Sequence, residues 1–427
     1  MKRIIATLFL ITFLFCGCNI NFTNVDEFIE PLKINNDQAE IYQALEKAAG
    51  KNIKYKFPNE GKYKSSFIFS DIDGDSNDEV IAFYIPDEAG AITRINVLDK
   101  IDGKWNSICD VQGSGIEIEK IDCVDFDNSG KFDIIVCWDV KNKLEKVFNV
   151  YGFADNNLNL KYTDVYTNLE IVDMDDDSIF DIVTVNADRS NNKPAVVRMY
   201  KSVDGNLKFS SEARLDDEVL AYSSVISGKF KADKNAVFID GLKGVNRLVT
   251  QIIYCNMGQL VNPLLHSINT FSRQGIILSQ DINNDGLIEI PSEKPMLGYD
   301  VNISNDNSSI KMTVWNSFDG EKVTPALNTI INLDFGYIFT IPEKWYEKVT
   351  VTKDEKSGNW IFNINEGNKQ VLTLSVIAKK NYLTEPSRYI VFQDRSYYYC
   401  AILPDETLDN QQYLLNLSEI KKYFYGY

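Results

Sequence analysis

Between residues 64 and 327 a short acidic pattern returns at nearly constant intervals, and nothing else in the chain constrains its fold as strongly. Four nine-residue segments align without gaps: Asp71 to Glu79 (DIDGDSNDE), Asp125 to Asp133 (DFDNSGKFD), Asp173 to Asp181 (DMDDDSIFD) and Asp281 to Glu289 (DINNDGLIE). A fifth, Lys229 to Val237 (KFKADKNAV), keeps its place but loses most of the acids. Successive starts lie 54, 48, 56 and 52 residues apart. An apolar run precedes each segment, such as Phe67-Ile68-Phe69, and β-branched residues such as Ile134-Ile135 follow the four acidic ones. Further on, each unit carries a hairpin signal: Asp102-Gly103, Asn156-Asn157, Asp204-Gly205, Met257-Gly258 and Asp319-Gly320. Each unit therefore reads strand, acidic loop, strand, strand, turn, strand. Four antiparallel strands in about 50 residues is the arithmetic of a β-propeller blade, and five repeats are recognisable. In the fifth unit, residues 291–310 read as a polar insertion between the second and third strands.

The acidic loops have the composition of an oxygen cage. Side chains at positions 1, 3 and 5 of a tight loop converge, a backbone carbonyl at position 7 adds a donor, and a carboxylate at position 9 completes the set. Many hard oxygen ligands select calcium over transition metals, and magnesium demands stricter octahedral geometry. An EF-hand needs a glutamate at position 12, where this chain has Ala82, Val136, Thr184 and Ser292. Strand-forming residues, rather than a helix, follow each loop. The EF-hand and dockerin readings fail on both counts.

With strands on both sides, the D-x-D-x-D-G-x-x-D/E pattern resembles the FG-GAP or VCBS-type repeat of integrin-like propellers, over residues 64–327. The resemblance implies up to four structural calcium ions. The first would be held by Asp71, Asp73, Asp75, the backbone of Asn77, and Glu79. The second would take Asp125, Asp127, Ser129, the backbone of Lys131, and Asp133, with Ser129 a neutral ligand. The third would take Asp173, Asp175, Asp177, the backbone of Ile179, and Asp181. The last would take Asp281, Asn283, Asp285, the backbone of Leu287, and Glu289. The fourth unit has Lys229 and Lys231 in place of two carboxylates and is expected to be metal-free. The family usually closes with seven blades. Either five blades suffice here, or divergent segments such as Asn52–Phe57 and Asn328–Ile341 complete a ring.

The remaining segments read as an address, a tether, a helix and a tail. Lys2 and Arg3 precede a 12-residue, mostly apolar run from Ile4 to Phe15, too short for a bilayer core of about 30 Å. It ends in Phe15-Cys16-Gly17-Cys18, which resembles a bacterial lipobox with Cys18 as the acylated residue; Phe15 stands where that family prefers Leu. The expected location is the extracytoplasmic face of the bacterial cell membrane, lipid-anchored. Residues 19–63 form a polar tether and a helix at about 37–49, with Asp37 and Glu40 as a capping box. The propeller is assigned to 64–331 and a small α+β domain to 332–427, with strands at 336–341, 347–353, 359–363, 370–378, 388–393 and 396–402 and a short helix capped by Ser418. This tail looks like a domain that follows such propellers in lipoproteins of low-GC Gram-positive bacteria. Core packing is the simplest role for its Trp345 and Trp360, and sugar stacking is the alternative. Cys109, Cys123, Cys137, Cys255 and Cys400 sit in apolar surroundings and read as small buried side chains, with a Cys109–Cys123 bridge as the alternative.

Acidic residues number 61 against 44 basic ones, a net charge of −17, the wrong sign for wrapping a nucleic-acid backbone. His266 is the single histidine, which excludes a His-rich zinc site and argues against a Ser-His-Asp hydrolase. Ser418-Glu-Ile-Lys421 matches S-x-x-K but opens a terminal helix without companion motifs, and Gly113-Ser-Gly115 lacks the third glycine of a dinucleotide site. Nearly all clustered carboxylates belong to the loops. The leading expectation is a non-enzymatic surface lipoprotein that binds a protein or carbohydrate ligand. The alternatives are a polysaccharide-processing enzyme and a purely structural cell-envelope protein.

Overall fold

The computed structural model describes residues 36–426 apart from 89, 141–145, 188–193, 300–309 and 368. The lipobox expectation for Cys18 and the tether to residue 35 lie outside the described residues. The rest is mainly β, in six antiparallel sheets that follow the chain order. The first joins Phe67–Ser70, Glu79–Pro86, Arg94–Ile101 and Lys104–Gln112, with Ile53–Tyr55 added beside Glu79–Pro86. The second joins Glu117–Val124, Asp133–Asp139, Lys146–Ala154 and Asn157–Tyr166. The third joins Asn168–Val172, Asp181–Asn186, Val196–Val203 and Asn206–Arg214. The fourth joins Val219–Lys231, Lys234–Lys243, Arg247–Asn256 and Gln259–Val261, with Arg273–Gln274 at its edge.

The hairpins form where the turn residues demand. Asp102-Gly103, Asp204-Gly205 and Met257-Gly258 all have positive φ at both positions, the geometry of a type I′ turn. In the second unit the turn pair is Asp155-Asn156, also left-handed, so the expected Asn156-Asn157 shifts by one residue and Asn157 opens the next strand.

Period-two alternation explains the packing of sheet on sheet. In Asp133–Asp139, Ile134, Val136 and Trp138 face the first sheet's Ile81, Phe83 and Val97. Ile135 and Cys137 face the third sheet's Ile182 and Tyr200. The fourth sheet repeats the device: Val237 and Ile239 meet Val183 and Val185, while Phe238 meets the fifth sheet's Ile290 and Phe318. A two-sided apolar strand must be covered twice, so each sheet requires a neighbour on either face. On the first sheet's outer face that neighbour is a helix, Asn36–Ala49, whose Ile41 and Leu45 cover Val80, Ala82, Tyr84 and Leu98. It stops at Gly50, φ 90°. Asp37 lies in its first turn with its carboxylate 2.8 Å from Lys100 Nζ, so it pairs across to the sheet.

The fifth unit departs from the others. Its pre-loop strand shrinks to one bridge, Gln280 to Glu289, and its sheet grows outward as Ile290–Pro295, Lys311–Phe318, Val323–Asn332, Tyr337–Thr340 and Phe424–Gly426. The segment read as a polar insertion thus starts with a strand. Neither divergent segment builds a further blade: Ile53–Tyr55 extends the first sheet and the 323–340 region extends the fifth. The sixth sheet, Val349–Lys353, Trp360–Ile364, Lys369–Ala378, Tyr397–Ile402 and Arg388–Gln393, matches the tail strands expected. Its core takes in Met296 and Ile330 from the fifth unit, so sheet and core are continuous across residue 332. The last helix, Leu417–Tyr423, is capped by Asn416, not Ser418: Asn416 Oδ1 accepts from Glu419 N and Glu419 closes the box.

The five cysteines are free. Cys109, Cys123, Cys137 and Cys400 are buried and Cys255 is half-buried, so the Cys109–Cys123 bridge is absent. Trp345 and Trp360 belong to the tail core, with Trp345 Nε1 donating to the Tyr413 carbonyl at 2.7 Å. Gly113 and Gly115 make room for Trp138, whose ring a Cβ at either position would crowd.

Candidate metal centre

All four acidic loops share one backbone shape. Positions 4 and 6 have positive φ in each: Gly74 and Ser76, Asn128 and Gly130, Asp176 and Ser178, Asn284 and Gly286. The position-1 aspartate holds that shape by accepting from the N–H of position 6. The distances are 2.9 Å for Asp71 from Ser76, 2.8 Å for Asp125 from Gly130, 2.9 Å for Asp173 from Ser178 and 2.9 Å for Asp281 from Gly286. Position 5 then turns the chain back toward the strand. Asp75, Ser129, Asp177 and Asp285 accept from the N–H of Asn77, Lys131, Ile179 and Leu287, the position-7 residues. Asp or Ser side chains bonding their own nearby backbone are the usual chemistry of such turns.

The floor of each loop is the position-9 acid, because it begins, or in the fifth unit directly precedes, a strand whose sides are both covered. Glu79, Asp181 and Glu289 are fully buried. Each uses one oxygen on the N–H of position 2: Glu79 from Ile72 at 2.9 Å, Asp181 from Met174 at 3.0 Å and Glu289 from Ile282 at 3.1 Å. The other oxygen differs from loop to loop. Glu79 Oε1 and Asp181 Oδ1 have no hydrogen-bond partner, whereas Glu289 Oε1 accepts from Asn283 Nδ2 at 3.3 Å. Burial pushes all three carboxyls up to about 7, with neighbouring acids adding to it. A buried carboxylate with an orphaned oxygen is costly, and a cation removes that cost.

Two loops bring ligand oxygens close enough to hold a metal ion. Asp71, Asp73 and Glu79 each offer one within 4.8 Å of the others, as do Asp173, Asp175 and Asp181. The donors are all oxygen, as a hard divalent cation requires. The third loop also receives Lys201, which pairs with Asp175 and lies 2.9 Å from Asp177. In the second loop Lys161 Nζ lies 2.7 and 3.0 Å from the two oxygens of Asp133. In the fifth unit Asn283 points its amide at Asp285 and Glu289. The fourth unit has no loop at all. Val219–Lys231 runs into Lys234–Lys243 through a tight turn, and Lys234 reaches Asp176 of the loop before it.

Three participants escape a reading of the nine-residue motif. Lys161 and Lys201 arrive from later strands, and Asp99 adds negative charge that helps raise the Asp73 and Glu79 carboxyls. Strand register is the signal that finds Asp99 and Lys201, on the strands paired with the position-9 strand, whereas Lys161 comes from the strand beyond.

Beyond the loops, the first strands of the second, third and fourth sheets meet at a cleft of about 230 Å³ lined by Glu119, Lys120, Glu170 and Val225. Three glutamates line it, of which Glu60 is exposed and the other two are engaged. Glu119 pairs with Lys146 and the Tyr166 hydroxyl, and Glu170 accepts from Ser227 N at 3.2 Å and Ser227 Oγ at 2.8 Å. Among the described residues no helix is long and apolar enough to cross a membrane.

No family model matches this chain, and no curated protein matches it in sequence. Among solved structures it is similar to Saccharomyces cerevisiae Sqt1, at 10% identity over 83% of this chain and 92% of that one, with a TM-score of 0.34. It is similar also to the Bacillus licheniformis rhamnogalacturonan lyase PL11, at 12% identity over 75% of this chain and 64% of that one, with a TM-score of 0.32. The exotype rhamnogalacturonan lyase YesX gives 11% identity, 70% and 64% coverage, and a TM-score of 0.31. The chain spans under two thirds of either lyase. Its propeller-like, mainly β architecture rests on its own strand pairings.

Proposed function

We propose that this chain is a calcium-braced, propeller-like scaffold, lipid-anchored at the outer face of a bacterial membrane, that works by binding a protein or carbohydrate rather than by catalysis. The observation that carries the reading is the floor of the first loop, where buried Glu79 keeps an unpartnered oxygen in a cluster with Asp71 and Asp73. Asp71, Asp73, Asp75 and Glu79 would hold the ion, with the Asn77 carbonyl as the position-7 donor. Calcium supplies charge neutralisation there and ties the strand before the loop to the strand after it. That role is mechanical.

The paired state of the two less exposed cleft glutamates, Glu119 and Glu170, favours binding over acid–base chemistry, since a general acid or base needs a carboxyl free to exchange its proton. Turnover of an acidic polysaccharide that disappears in Glu119→Gln would overturn the non-enzymatic reading. The anchor is tested by metabolic labelling with a fatty acid, which Cys18→Ala should abolish. Labelling that survives the substitution would remove the membrane from the proposal. A glycan array probed with the full chain, with and without chelator, then separates a carbohydrate ligand from a protein one.

A further inference from the structure

One register position separates the loops into two kinds. The third strand of each unit pairs with the strand that the position-9 acid begins. Val80 pairs with Leu98, Ile134 with Tyr151, Ile182 with Tyr200 and Ile290 with Asn316. Beyond these last paired residues, the same antiparallel register carried on by one residue sets Asp99 against Glu79, Gly152 against Asp133, Lys201 against Asp181 and Ser317 against Glu289. The same place thus carries an anion in the first unit, a cation in the third and neutral residues in the second and fifth.

Gly152 is not a blank. Lys161, on the neighbouring strand, lies across it, and a Cβ there would overlap the lysine's Cε. The space of the missing side chain is what lets the ammonium reach both oxygens of Asp133, at 2.7 and 3.0 Å. By different routes, two units bring a lysine to their loop acids. Its side chain is 31% exposed in the second unit and 22% in the third, so neither is a freely solvated surface pair. With Asp99, the first loop counts six carboxylates, Asp71, Asp73, Asp75, Asp78, Glu79 and Asp99, and among the described residues no lysine or arginine forms an ion pair with any of them.

We infer that Lys161 and Lys201 compete with the metal for the acids of the second and third loops, the third keeping Asp181 Oδ1 unpartnered, and that Asp99 makes the first loop the principal divalent-cation site. The inference rests on the calcium reading above and sharpens it from four equivalent ions to one strong site, at the first loop, and one weaker site at the fifth. An ammonium and a divalent cation compete for the same oxygens. A loop that owns a tethered cation binds a second one only by releasing the first. Lys131 passes beside Gly74 of the first loop but, among the described residues, forms no ion pair with its acids, and the extra anion there adds to the ligand charge that tunes affinity in oxygen cages. The fifth, with Asn283 and Ser317 in place of charged groups, has fewer charges and binds less tightly.

The test is calcium counting on the full chain by native mass spectrometry and titration calorimetry, comparing wild type with Lys201→Met, Lys161→Met and Asp99→Asn. Each lysine variant should gain one calcium relative to wild type. Asp99→Asn should keep the count and weaken the tightest site by about tenfold. The two lysine variants act in different sheets, so failure of one to fold leaves the other decisive. A wild-type count that already includes the second and third loops, unchanged in both lysine variants, overturns the lysine assignment and leaves the calcium reading standing. Unchanged affinity in Asp99→Asn overturns the ranking of the first loop. No uptake by any of the four proteins overturns the inference and the calcium reading together.

Discussion

The repeat region and the tail solve the same problem, holding antiparallel sheets face to face, with opposite materials. In the repeats, a buried acid begins or directly precedes the second strand of three units, and charged groups must be answered at each loop: Glu79, Asp181 and Glu289. The fourth unit adds Asp240 and Arg273, both almost fully buried and 2.6 Å apart, joined by Thr250 and Ser279. The tail instead packs Phe339, Trp345, Phe362, Tyr399 and Phe424 into one aromatic core. Apolar packing is indifferent to ions and protons, whereas buried charge is not. The difference teaches where the molecule is sensitive to its surroundings. The repeats should respond to calcium and pH, and the tail should not.

The sharpest break in that comparison comes from the buried pair. Asp240→Ala strands the Arg273 guanidinium without water, and loss of about 3–5 kcal/mol is expected in chemical denaturation. Trp345→Ala should cost about as much through the cavity it leaves in the tail, and neither loss should depend on calcium. A calcium-dependent loss for Trp345→Ala would mean that the two regions share their response.

The second test cuts the molecule between its materials. A fragment beginning at 332 loses the partner strand of Tyr337–Thr340 together with Met296 and Ile330 from its core. It should melt without cooperativity, while a fragment from 290 onward, which restores that strand and those side chains, should melt cooperatively. Equal cooperativity by calorimetry would place the boundary at 332 after all.

Calcium comes next in size. A site with a dissociation constant of about 0.1 mM adds roughly 1.4 kcal/mol at 1 mM calcium. Melting in calcium should exceed melting in chelator, and Asp73→Ala should remove most of the difference if the first loop is the principal site. Identical melting in both would leave the loops as empty acidic turns.

The last test is pH, and the sign of its effect is unusual. Glu79, Asp181 and Glu289 rise to about 7 in the folded protein, from ordinary values of 4.5 for Glu and 3.8 for Asp. The folded state therefore binds protons that the unfolded chain releases, and in chelator stability should fall as pH rises from about 4 through about 7. Glu79→Gln should flatten part of that slope. With calcium bound the slope should weaken, because the ion competes with the protons and favours ionised carboxylates.

Much of this architecture is legible in the residues. The spacing of the acidic segments and the turn pairs located the strands of the first four units, because hairpins are local and their turn chemistry is written in adjacent residues, and it failed in part in the fifth, whose first strand is a single bridge. The tail strands were found nearly to the residue by alternation alone. Misplacements were also local: Ser418 lost the cap to Asn416, two residues earlier, whose amide reached the Glu419 N–H.

The sequence by itself determined that each loop would be a tight turn of oxygen donors, since Asp, Asn, Ser and Gly at alternating positions can bond only to their own backbone or to a cation. Which cation each loop meets was decided by tertiary structure. Lys161 lies 28 residues from Asp133, Lys201 lies 26 from Asp175, and Arg273 lies 33 from Asp240. Asp99 reaches the first loop only through strand register. The two ends of the sheet series show the same division, because the outer face of the first sheet is covered by the helix Asn36–Ala49 and the fifth sheet is completed by Phe424–Gly426 from the far end of the chain. Strand pairing sets register over long separations, and a shift of one residue would turn each of these side chains to the opposite face.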